Sequence, residues 1–215
     1  MKFARLRTLS LCVALACLTS LATAQNATPR QDAGANSPTN EALRQELIRM
    51  LDEDQAARKP MMDGTWTSEE QGRRIRALDA ANTKRLTEIV KQYGFPGVAL
   101  VGKDGAQAAF VMLIHGPSIE LQKKSLPYIK KAALRGEIPI DAFASLTDTI
   151  LSNEDKPQIY GTKFDLADGK FVLAKTKDPA RLDARRKKLG LAPISEYAKG
   201  LSELYKMPVD ASIPR

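Results

Sequence analysis

Apolar residues recur at helical spacing along most of this chain, and the polar residues that interrupt those stripes are its most informative positions. From Asn40, a favourable N-cap, Leu43, Leu47, Met50 and Leu51 share one face of a first helix. Residues 58–64 are expected to interrupt it. Thr67 with Glu70 has the form of a capping box, opening a second helical stretch. Its stripe runs through Ile75, Leu86, Ile89, Val90 and Tyr93 and ends at Gly94, with Pro96 beyond. Lys103-Asp104-Gly105 reads as a turn. Residues 106–114 are apolar on all sides apart from Gln107, so they form a buried element, and their alanines favour a helix. The next helix follows Gly116-Pro117 with Ile119, Leu126, Ile129 and Ala133 on one face, and Pro127 should kink or split it.

A further helix over residues 140–151 shows Phe143, Leu146 and Ile150. The period then changes. Between Tyr160 and Val172, Gly161 and Asp168-Gly169 with flanking Phe164 and Phe171 suggest a hairpin. Asp178-Pro179 reads as an N-cap and N1 proline opening a helix that stops at Gly190. Ile194, Tyr197, Leu201 and Leu204 mark the last helix. The expected fold is mainly α: a compact multi-helix domain over 40–208 with one small β-hairpin.

The first 24 residues change the picture of where the chain works. Lys2, Arg5 and Arg7 precede an apolar run from Leu9 to Leu21, and Ala22-Thr23-Ala24 supplies small residues for cleavage. This is the layout of a secretory signal peptide, and the run is too short to span a bilayer. An exported protein, periplasmic or secreted, is expected, with 25–39 as a polar, disordered tether. Cys17 is also a conceivable lipoprotein acylation site, but Ala14 stands where a leucine is usual and the apolar run continues past it.

Both cysteines, Cys12 and Cys17, lie inside that leader, which leaves the remainder without a disulfide, a thiol nucleophile or a cysteine-based metal site. The formal charge of +8 falls to +5 once Lys2, Arg5 and Arg7 leave with the leader. A surface of that charge suits anionic envelope polymers or lipid headgroups, and an exported protein meets little nucleic acid. The expected partner is a small molecule, a glycan or an envelope protein.

Candidate chemistry comes from stripe positions. Stepping back from Tyr93 through Ile89 and Leu86 reaches Asn82 and Asp79, which places an amide and a carboxylate on the core face. Burying them is costly unless partners satisfy them, or unless Asn82 caps a fresh helix. Gln122 repeats the oddity between Ile119 and Leu126, either as a specificity group or as a core amide bonded to a backbone carbonyl. His115, the one histidine, follows the buried segment and is the best candidate for general acid/base work. No G-x-S-x-G elbow, phosphate loop or dinucleotide fingerprint is present, and no cofactor or metal is implied. Asp52-Glu53-Asp54 and Glu69-Glu70, a possible carboxylate pair for glycoside cleavage, read better as solvated faces, as does Arg185-Arg186-Lys187-Lys188.

Taken together, Asp54-Gln55 with Arg58, Asp79 with Asn82, Gly94-Phe95-Pro96, the run to His115, Gln122, Leu146 with Asp148, Pro157-Gln158, Tyr160-Gly161-Thr162 and Asp178-Pro179 through Leu189-Gly190-Leu191 form an ordered pattern. In it the chain resembles a bacterial family catalogued as domain of unknown function 6624, from about Leu43 to Ala198. The family pattern has acidic residues after the histidine, where this chain has Gly116-Pro117-Ser118, and Tyr-Gly-Thr-Gln where it has Tyr160-Gly161-Thr162-Lys163. The resemblance implies no reaction, but its motif positions include Asp79, Asn82, His115 and Gln122.

Two functional classes follow. One is a binding or interaction module whose pocket uses Asp79, Asn82, His115, Gln122, Gln158 and Tyr160. The other is a hydrolase or transferase with His115 as general base, Asp79 or Asp148 orienting it, and Gln158 or Asn82 holding an oxyanion. The missing nucleophile motif favours the first. A basic surface binder using Lys123, Lys124, Lys130 and Lys131 is a third, reserve reading.

Overall fold

The computed structural model describes residues 38–62, 65 and 68–212, so the expected leader, most of the tether and Thr67 lie outside the described residues. Those described divide into two compact units, 38–143 and 144–212. Seven α-helices and a small three-stranded sheet make the fold mainly α, as the apolar periodicity requires.

The first unit holds α1 (Glu41–Met62), α2 (Glu69–Tyr93), α3 (Val98–His115), α4 (Ile119–Leu134) and the start of α5 (Ile140–Asn153). Asn40 caps α1, its Oδ1 accepting from the Leu43 N–H at 3.0 Å. The expected break at 58–64 does not occur before Met62. Pro60 sits close enough to the helix end to forfeit little hydrogen bonding, and Arg58 is tied to α2 by an ion pair. The capping box of α2 is one residue later than expected: Ser68 and Gln71 bond each other's backbone N–H reciprocally.

The turn expected at Lys103–Gly105 is helical instead. The break falls at Gly102, whose φ of +70° an L side chain adopts only with strain, and the helix restarts at Lys103. Asp104 then lies near the restarted N-terminus, where the dipole favours an anion, and Arg44 of α1 pairs with it. α3 is apolar nearly all round because it is the unit's central helix: residues 108–114 are all buried, and α1 and α2 both pack on it. It is long and apolar enough to span a bilayer by composition, yet core burial accounts for that. α4 runs through Pro127 unbroken, because the proline lies on the exposed face where water can satisfy the freed carbonyl.

The second unit contains the rest of α5, a hairpin, α6 (Leu182–Lys188) and α7 (Ile194–Tyr205). Strands β1 (Phe164–Ala167) and β2 (Lys170–Leu173) pair antiparallel with Ala167 opposite Lys170. Asp168 and Gly169 between them both have positive φ (50° and 74°), the backbone of a type I′ turn, which explains why Asp-Gly marked the hairpin. A short β3 (Val209–Asp210), not expected from the sequence, adds in parallel to β2. Phe164, Phe171, Leu182, Ile194 and Leu201 make the core. Asp178 does not cap a helix as expected. It is left-handed at φ 40° with no side-chain capping bond, and a 3-10 turn at Pro179–Arg181 leads into α6.

Candidate functional site

His115 ends α3, and its Nδ1 lies 3.1 and 3.0 Å from the two carboxylate oxygens of Asp54 on α1. Asp54 is wholly buried, and the imidazole is 8% exposed. The same carboxylate accepts from Arg58 Nε and Gln55 Nε2, each at 3.0 Å. Arg58, one turn further along α1, reaches across to Asp79 on α2. One histidine, one guanidinium and two carboxylates therefore converge from three helices.

Burial alone pushes the Asp54 carboxyl up, but the His115 hydrogen bond and charge and the Arg58 guanidinium outweigh it, holding Asp54 below the ordinary carboxylate range. Asp79 goes the other way. Burial raises it, and the Arg58 and His115 charges offset that only in part, while the Asp54 charge adds to the rise. The two carboxylates share one guanidinium and are pushed apart in basicity. An ionised carboxylate is acceptor-only, so Nδ1 must carry the proton and donate it to Asp54. The other ring nitrogen, Nε2, makes no hydrogen bond among the described residues.

The carboxylate that orients His115 is thus Asp54, and the expected role of Asp79 or Asp148 in that position is corrected. The run Asp52-Glu53-Asp54 is therefore not wholly a solvated face. The signal for Asp54 was present all the same: Leu43, Leu47, Met50 and Asp54 continue one helical stripe, the reasoning that singled out Asp79.

Gln122 on α4 fixes the end of α3. Its Nε2 donates at 3.1 Å to both Leu113 O and Gly116 O, satisfying a carbonyl of the final turn. It is the core amide of the two readings, although its buried Oε1 has no partner among the described residues. Asn82 lies in mid-helix, so it is no N-cap; it is 7% exposed, and its Nδ2 likewise has no partner there. Asn82 stays a ligand candidate on that ground.

Asp148, Gln158 and Tyr160 belong to the second unit and form a different cluster. Asp148, fully buried, accepts from the Ile159 N–H (2.7 Å), the Tyr160 N–H (3.0 Å), the Thr162 N–H (3.0 Å) and the Thr162 hydroxyl (2.9 Å). Gln158 accepts from Lys163 N (2.8 Å) and donates to Lys163 O (2.9 Å), Ala174 O (3.1 Å) and Thr176 Oγ1 (3.2 Å). Tyr160 contributes its backbone, its carbonyl accepting from Arg186 Nη1 at 2.6 Å, while burial and the neighbouring Asp148 charge raise its phenol. Arg186 is 2% exposed and stacks 5.0 Å over Tyr197, so the basic run is not wholly a wet face. These groups hold a loop together: Gln158's polar atoms are committed to the protein, which leaves none to hold an oxyanion. Among the described residues, no group of three or more His, Cys, Asp or Glu side chains is placed to hold a metal ion.

A profile described as a family of unknown function, DUF6624, matches residues 41–210. The chain belongs to this family. No curated protein and no solved structure matches it. The DUF6624 match spans both polar clusters, the His115 cluster of helices α1 to α3 and the Asp148 loop cage.

Proposed function

We propose that this DUF6624 protein is an acid–base enzyme, a hydrolase or transferase, in which His115 Nε2 takes and returns the proton. The observation that carries the reading is the 3.0 Å approach of His115 Nδ1 to the buried Asp54 carboxylate. Asp54 fixes the ring and its tautomer, and stabilises the imidazolium formed when Nε2 takes a proton, the work of the carboxylate in a Ser-His-Asp triad. Arg58 holds Asp54 ionised and couples it to Asp79. Nothing among the described residues hydrogen-bonds Nε2, so the nucleophile called for is water or a substrate hydroxyl. The N-terminal signal pattern supports action outside the cytoplasm.

The test is a panel of chromogenic esters, phosphoesters and glycosides, assayed with wild type, His115→Ala and Asp54→Asn. Turnover by wild type that falls by about 100-fold or more in His115→Ala, with unchanged circular dichroism, is expected. Equal rates in wild type and His115→Ala overturn the reading. The buried Asn82 Nδ2, lacking a partner among the described residues, favours a second reading: a binding module that holds a polar ligand at Asn82 without turnover. A compound that raises the melting temperature of wild type but not of Asn82→Ala, and stays unconverted, selects that one.

A further inference from the structure

We propose that the outer face of α4 is a docking surface for an anionic membrane, separate from the His115 cluster and independent of whether that cluster turns over a substrate. At about 100° per residue, Lys130, Lys123, Leu134, Pro127, Glu120, Lys131, Lys124, Arg135 and Tyr128 fall within one arc of about 160°. All nine are exposed, whereas Leu121, Gln122, Ser125, Ile129 and Ala133 on the opposite arc are buried. Five of the nine are cations and one is a carboxylate. Cations at this density are matched by a polyanionic surface, and Lys and Arg side chains near an anionic bilayer each add attraction.

Charge alone suits any polyanion, and the apolar residues on the same arc choose the lipid. Tyr128 is 54% and Leu134 66% exposed, two of the four large hydrophobic side chains left in water among the described residues. With the opposite apolar face of α4 buried in the protein, the exposed Tyr128 and Leu134 are the side chains on this cationic face that can enter the headgroup boundary. Beside Tyr128 a cleft of about 190 Å³ opens between the α2–α3 loop and the end of α4. Phe95, Pro96, Val98 and Ile138 line it together with Lys131 and the ion pair of Arg135 with Glu137. It is smaller than a typical drug-sized pocket, and its mostly apolar lining beside Lys131 suits part of an acyl chain below a phosphate.

The test is vesicle co-sedimentation of the full chain on phosphatidylcholine alone and on phosphatidylcholine with about one third phosphatidylglycerol. Because the N-terminal apolar segment can also enter bilayers, each variant is read against wild type carrying the same segment. The expected result is binding that needs phosphatidylglycerol, weakens at least tenfold at 0.5 M salt, and weakens at least tenfold in Lys124→Gln/Lys131→Gln/Arg135→Gln. Tyr128→Ser/Leu134→Ser should lose binding at least threefold at unchanged charge. Unaltered binding in the charge variant overturns the proposal, as does a loss in that variant that is equally large on pure phosphatidylcholine. So does unaltered binding in the Tyr128/Leu134 variant together with equal binding to heparin, which would make the face a general polyanion surface.

Discussion

Two carboxylates, Asp54 and Asp148, are buried to the same extent, at 0% exposure, and are used in opposite ways. Asp148 is surrounded by donors that never change protonation: three backbone N–H groups and a threonine hydroxyl. That arrangement ties residues 159–162 to α5 and has no capacity left for a reaction. Asp54 instead meets a histidine and a guanidinium, one of which titrates near neutral pH in ordinary surroundings. Burial is the same; the difference lies in what the partner can do with a proton. A buried carboxylate signals chemistry only when its partner can change charge.

The largest effect expected on that contrast is from Asp148→Ala, which orphans three amides and a hydroxyl in the interior. Chemical denaturation should show a loss of about 4 kcal/mol or more. A loss below about 1 kcal/mol would mean the loop finds water in its place. Gln158→Ala should cost about 3 kcal/mol in the same experiment, since it strips both backbone groups of Lys163 of their partner. Neither is expected to act through proton chemistry.

Smaller effects on stability, with larger ones on pH dependence, are expected at the other cluster. Asp54→Asn should cost about 2 kcal/mol at pH 7 by weakening the charge-assisted hydrogen bonds from His115 and Arg58. The folded Asp54 pKa lies below the ordinary value of 3.8, so its contribution is present above that value and is lost as pH falls through the lower folded one. The gap between wild type and variant should close in acid. A gap that stays constant from neutral pH down into acid would contradict the assignment.

Asp79→Asn is the mildest, within about 1 kcal/mol at pH 7. Its raised pKa has the opposite sign: the contribution is fully present below 3.8 and is lost as pH rises through the elevated folded value. Relative to wild type, the asparagine variant should therefore gain as pH rises from acid to neutral. Parallel denaturation curves at several pH values would show it, and a variant that loses ground over that range would reverse the sign.

Much of this was legible in the chain. Helical stripes located α2, α5 and α7, Asp168-Gly169 located the hairpin, and apolar character on all sides marked α3 as buried. His115, Asp79 and Asn82 stood out because each interrupts or ends an apolar face. Asp54 belongs to the family pattern, but in its run of three acids it reads as a solvated face, because composition outweighs the stripe that places it inward. The structural roles of Asp148 and Gln158 are hidden in the sequence because their backbone partners lie 5 to 16 residues away, which no local pattern displays, and Tyr160 takes part through its own backbone. The same holds for β3, two residues whose pairing with β2 is purely tertiary.

The most direct test of the central contrast is long-range ¹⁵N NMR of the His115 ring, the one histidine in the chain, recorded at a pH where the ring is neutral. The account expects a protonated Nδ1 and a lone pair at Nε2, with that preference lost in Asp54→Asn and kept in Asp148→Asn. A ring protonated at Nε2, or a tautomer indifferent to Asp54→Asn, would contradict it.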